Sequence, residues 1–149
     1  MNKEKIAFIP RQYLAVIAVL LAIMMSVLDG TIMNIALPTL AHDFDVTPST
    51  AIWIVNAYQL VITMTLLSFA SLGDIYGYRR IFLIGISIFV GASLACTLST
   101  SFWMLTAARV IQGFGAACVM SVNTALIRLI YPPQILGRGM GVNAMVVAV

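Results

Sequence analysis

Four stretches of the chain, roughly 12–37, 50–72, 80–98 and 102–128, run almost without charge. Each approaches or exceeds the ~20 residues that an α-helix needs to cross a bilayer. Nothing constrains the fold more. In lipid every backbone N–H and C=O must find a partner within the protein, which helices supply from their own segment. The expected class is therefore an all-α membrane protein. Composition agrees: only 9% of residues are charged, against about 25% in soluble domains.

The breaks between the runs carry turn and breaker residues. Pro38 and the polar stretch 42–49 are expected to end the first helix. Gly73, Asp74, Gly77 and Arg79-Arg80 are expected to form a short loop after the second. Ser99-Thr100-Ser101 separates the third from the fourth, and Tyr131-Pro132-Pro133 closes the fourth. A fifth helix is expected to start from about 138, too close to Val149 to cross a membrane. On this reading residues 1–149 form the N-terminal part of a longer membrane protein, whose missing C-terminal helices are its first partner.

Basic residues set the orientation. Lys3, Lys5, Arg11, Arg79, Arg80, Arg128 and Arg138 fall on one side if the helices alternate, whereas 38–50 and 99–102 hold no Lys or Arg. The N-terminus is thus expected in the cytoplasm of a multi-pass cell-membrane protein. The apolar run after Arg11 is too long for a signal peptide and is followed by no clean small-residue cleavage site. The net charge of +3 reflects this topology. With no basic patch, no nucleic-acid partner is expected.

Two charges remain inside the apolar runs, Asp29 and Arg109. A charge at bilayer depth costs roughly 2.5–3.5 kcal/mol on insertion scales. Asp29 precedes Pro38 by nine residues, which a helical rise converts to ~13 Å below the outer end. Arg109 follows Ser101 by eight residues, or ~12 Å below the same face. Equal depth on different helices makes them candidate partners. Burial favours a neutral carboxyl and a nearby guanidinium favours a charged one, so such a carboxylate responds to exposure and partner distance by loading or releasing a proton. A fixed ion pair that only ties the first helix to the fourth is the plain alternative.

Further polar residues sit at helical spacing. Asn56, Gln59 and Thr63 share one face of the second helix, and Arg109, Gln112 and Asn123 lie broadly on one side of the fourth. Asn56, Gln59, Gln112 and Asn123 are candidates to line a cavity; interhelical hydrogen bonding alone accounts equally for the stripes. Gly113, Ala117 and Ser121 stand four apart, a spacing that favours close helix packing. Met33 and Met120 suit helix packing better than a ligand surface, although methionine adapts to varied shapes. Cys96 and Cys118 have no ligand cluster around them, so no metal or cofactor is expected. The glycine pairs at 113–115 and 137–139 follow no strand, which argues against nucleotide binding. His42 is a lone loop histidine, and no nucleophile–base–acid set marks an enzyme.

Four stretches together resemble the major facilitator superfamily, specifically its fourteen-helix drug:proton antiporter branch. LDGTIMNIALP, 28–38, resembles the first-helix motif, whose acid falls at Asp29. WIVNAYQL, 53–60, resembles the second-helix signature, with Trp53 and Tyr58. ASLGDIYGYRR, 70–80, resembles the loop motif G-x-L-A-D-R-x-G-R-K, and LTAARVIQGFGAA, 105–117, resembles L-x-x-x-R-x-x-Q-G-x-G-x-A. The resemblance implies proton-coupled export of drugs or other lipophilic, often cationic, molecules. It implies proton coupling at Arg109 and a conformational switch at Asp74, Gly77, Arg79 and Arg80. Ala70, Ile75 and Tyr78 depart from the loop motif, and leave its charge pairing open. The fifth-helix motif that separates antiport from symport would lie beyond Val149. Other classes to be weighed are a major facilitator symporter, a small dimeric four-helix exporter and a membrane assembly subunit without transport.

Overall fold

In a computed structural model, which describes residues 5–130 together with 137, 141, 144 and 145, and side chains from Ile17 onward except those of Thr124 and residues 127–130, the chain is helical almost throughout. The helices are α1 (Lys5–Asp43), α2 (Pro48–Tyr76), α3 (Tyr78–Thr97) and α4 (Phe102–Ile130). All four carry segments long and apolar enough to cross a membrane. The expected fifth helix, with Arg138, lies largely outside the described residues, as does the break at Tyr131-Pro132-Pro133.

The helices are longer than their apolar runs. Pro38 does not end α1, which continues to Asp43. A proline inside a helix removes one hydrogen bond and crowds the preceding turn, at a cost of ~3 kcal/mol. The turn beyond it is held in two ways. Val46 N–H reaches Ala41 O at 3.0 Å, around Asp45 at φ 50°, which is a Schellman-type closure. Leu40 and Phe44 also pack onto a cluster of Met33, Ile54, Phe102 and Leu105. α2 then starts at once: Thr47 Oγ1 accepts from Thr50 N–H at 3.3 Å, with Pro48 in the first turn.

The expected loop after α2 shrinks to one residue. Asp74 lies in the last turn of α2, Arg79 and Arg80 in the first turn of α3, and Gly77 alone stands between. Its φ of 94° is one that glycine adopts without steric cost. Across this joint the Tyr78 hydroxyl donates to Asp74 Oδ1 at 2.5 Å. At the other end Ser101 Oγ accepts from Met104 N–H at 3.3 Å and opens α4.

α4 is the centre of the bundle. In its membrane span 61% of residues are buried, against 17–28% for the other three. It touches α1, α2 and α3, most extensively α3. Small residues set these approaches. A Cβ on Gly115 would stand 2.6 Å from Phe89 N and 2.8 Å from Gly85 O, and a Cβ on Gly113 would stand 3.0 Å from Tyr58 O. The expected Gly113–Ala117–Ser121 stripe therefore starts on the α2 side, and the tightest α3 contact belongs to Gly85 and Gly115. Three apolar layers follow along the bundle: Met33 with Ile54 and Leu105 near the α1–α2 connection, Tyr58 with Phe89 and Ala117 in the middle, and Ile23 with Phe82 and Val122 toward the Gly77 end.

Candidate functional site

Between the first two of these layers lies a small polar core. α1 brings Asp29 to it, α4 brings Arg109 and Gln112, α2 brings Tyr58 and α3 brings Cys96. Arg109 and Gln112 are three residues apart and share a helix face. Arg109 Nη1 donates to Asp29 Oδ2 at 2.6 Å, and Gln112 Nε2 donates to Asp29 Oδ1 at 3.0 Å. Each carboxylate oxygen thus takes one hydrogen from α4. The pair is deeply placed: the Arg109 side chain is 6% exposed and that of Asp29 19%. The Arg109 guanidinium carbon also lies 5.7 Å from the centre of the Tyr58 ring, within cation–π range. Cys96 Sγ stands 3.6 Å from Gln112 Oε1, a length that suits sulfur. So the equal depth expected for Asp29 and Arg109 is matched by direct contact.

Two buried atoms here, Arg109 Nε and the Tyr58 hydroxyl, have no hydrogen-bond partner among the described residues. Leaving such a group unmet costs ~1–3 kcal/mol. Gathering an ion pair, an amide and unmet donors in one place costs stability that an apolar core would not.

The other candidates divide. Gln112 and Asn123 are buried on α4, but eleven residues separate them, about 16 Å of helix. Asn56 and Gln59 are exposed and lie away from the polar core; with Trp53, Leu60 and Thr63 they line a separate cleft of about 290 Å³. It is Tyr58 and Ile62 that α2 turns toward Ala116 and Ala117 of α4. The expected common cavity of Asn56, Gln59, Gln112 and Asn123 is therefore not formed within the described residues. Asp74, Gly77, Arg79 and Arg80 are all exposed at the joint of α2 and α3, far from Asp29 along α1. Tyr58 and Cys96 are the members of the polar core that sequence reasoning missed. Tyr58 was legible only as a motif residue, and Cys96 looked like a small apolar filler.

The family model of the Major Facilitator Superfamily matches residues 19–149. The chain belongs to this superfamily. Three relatives show its neighbourhood. An uncharacterized transporter, YebQ, of Escherichia coli K12 is 58% identical over 95% of this chain and 31% of its own length. The riboflavin transporter RibZ of Clostridioides difficile is 34% identical over 93% of this chain and 30% of its own length. The drug efflux pump JefA of Mycobacterium tuberculosis is 42% identical over 83% and 24%. The chain thus spans less than a third of the length of these relatives. Its polar core joins three of the four motif stretches: Asp29 from the first, Tyr58 from the second, and Arg109 with Gln112 from the fourth.

Proposed function

We propose that this chain is the N-terminal, proton-handling part of a cell-membrane exporter that exchanges protons for lipophilic, often cationic, small molecules, drugs among them. The observation that carries the reading is the buried contact of Asp29 with Arg109, supported by Gln112. Removing one partner of a buried pair costs ~3–5 kcal/mol. Proton uptake by Asp29 cancels one of the two charges and loosens the main polar tie between α1 and α4. Release of the proton restores it. A tie of this kind makes the relation of two cavity-forming helices depend on a proton, which is what exchange requires. Substrate would be held between this bundle and a second one, near the bilayer midplane. The Lys and Arg distribution supports a cytoplasmic N-terminus, and the joint at Asp74, Gly77, Arg79 and Arg80 serves as the switch between inward- and outward-facing states. Relatives named as a multidrug resistance protein and a drug efflux pump support the choice of cargo.

The test is efflux of a cationic dye against an imposed pH gradient by the full-length protein. Asp29→Asn keeps size and polarity but takes up no proton, and it loses gradient-driven efflux; Asp29→Glu keeps a part. Full gradient-driven efflux by Asp29→Asn would make the ion pair structural. The riboflavin-transporter relative favours a second reading, a solute symporter. Under it the same gradient drives accumulation of a solute rather than loss of a dye.

A further inference from the structure

We propose that Gln112 is a two-state relay: its amide turns over when Asp29 is protonated, and so passes the protonation state of α1 to the Cys96 thiol on α3. This rests on Asp29 taking up a proton, as in the exporter reading.

The argument is one of donors and acceptors. Arginine only donates, an ionised carboxylate only accepts, an amide has one face of each kind, and a thiol does both weakly. With Asp29 ionised, Arg109 fills Oδ2 and Gln112 must turn its NH₂ to Oδ1. The amide oxygen then faces Cys96, which fills it as donor over 3.6 Å. Every hydrogen in the row Cys96–Gln112–Asp29 points toward the carboxylate.

A proton on Asp29 reverses the row. On Oδ2 it would compete with the hydrogen that Arg109 Nη1 points at that oxygen from 2.6 Å, so the relay places it on Oδ1, on the side that faces Gln112. There it meets the Gln112 NH₂, which approaches the same oxygen at 3.0 Å, hydrogen to hydrogen. Gln112 is 1% exposed, so water does not relieve the clash. Turning the amide over does: Oε1 accepts from the carboxyl and Nε2 points at sulfur. Cys96 then changes from donor to acceptor, which valine or alanine there could not do. The charged and titratable groups around the carboxylate are Arg109 of α4, Tyr58 of α2 and Cys96 of α3. Among the described residues, the row through Gln112 is the one that leads from Asp29 to α3. Gln112 acts here as a positioning residue, and Cys96 as its readout.

Asp29→Asn mimics the protonated state. Arg109 forces the asparagine to present its oxygen, so its NH₂ faces Gln112 and the amide must turn over. The experiment reads the S–H stretching band in infrared spectra of the full-length protein in lipid, with the Cys96 band assigned by its loss in Cys96→Ser. In Asp29→Asn the band moves to higher wavenumber, because the thiol no longer donates to an amide oxygen. Gln112→Leu gives the released band whether Asp29 or Asn is present. An unmoved band in Asp29→Asn overturns the relay, and so does a shift between Gln112→Leu and its double variant with Asp29→Asn. Gradient-driven efflux, measured on the same preparations, separates the two readings. A moved band with intact efflux by Asp29→Asn keeps the relay and refutes proton coupling at Asp29. An unmoved band with lost efflux does the reverse.

Discussion

Arg109 does two things that a lysine cannot do together. Its planar guanidinium gives Nη1 to Asp29 at 2.6 Å while the guanidinium carbon lies 5.7 Å from the Tyr58 ring centre. A lysine keeps the charge as a strongly hydrated point and loses the flat stacking face. Arg109→Ala leaves the Asp29 charge with only the neutral Gln112 amide opposite it among the described residues, a destabilisation of about 3–5 kcal/mol for a buried charge that loses its counter-ion. The expected outcome is loss of gradient-driven efflux at normal protein level for Arg109→Lys, and loss of both efflux and part of the protein for Arg109→Ala. Efflux in energised cells with a blot of the membrane fraction checks this; normal efflux by both variants would remove Arg109 from the mechanism. At this scale the sequence was informative about depth and silent about direction. Residue counting placed Asp29 and Arg109 at one level because helical rise is nearly constant. Helical spacing grouped Asn56 with Gln59 correctly, but spacing shows which residues share a face, not which face meets a neighbour. Tyr58, between them in sequence, took the inner side because Ala116 and Ala117 leave room for its ring.

Among the elements, α4 is the one on which the others lean. Two backbones cross at Gly115, where a Cβ would meet Phe89 N at 2.6 Å and Gly85 O at 2.8 Å. Backbone atoms cannot rotate aside as a side chain can, so Gly115→Ala forces α3 and α4 apart. Overpacking of this kind costs typically 1–3 kcal/mol. Gly91, on the same helix as Gly85, has open space around its Cβ position, and alanine there gains up to ~1 kcal/mol of helix propensity. Thermal unfolding of the full-length protein in detergent should thus show a lower midpoint for Gly115→Ala and an equal or higher one for Gly91→Ala. Equal midpoints for Gly115→Ala and the unmodified protein would show that the crossing is not tight. Element existence was legible because the bilayer demands long apolar runs. Element ends were not, since apolarity marks where lipid begins and hydrogen bonding marks where a helix stops. Pro38 misled for the same reason: the turn after it is kept by the packing of Leu40 and Phe44, a tertiary contact that no local rule contains.

Taken whole, the chain spans 31% or less of the three relatives compared above, and its outer faces are apolar. Ile35, Met64 and Leu67 are each more than 70% exposed, as expected of surfaces that meet lipid or further helices. Residues 1–149 in liposomes should therefore show no gradient-driven dye movement, while the full-length protein does. Transport by 1–149 alone would mean that this bundle, alone or paired with its own copies, is already a complete carrier.

One cleft described by its lining has an optical consequence. Trp53 of α2 and Trp103 of α4, with Thr50, Ala57, Phe102 and Thr106, border a single gap of about 290 Å³ near the N-terminal ends of those helices. The chain contains only these two tryptophans. The ultraviolet emission of residues 1–149 is therefore a local signal: it reports the polarity on the two walls of that gap, Trp53 facing the Asn56–Gln59 cleft as well. Any movement of α2 against α4 changes the colour and yield of the protein's own light, with no dye attached.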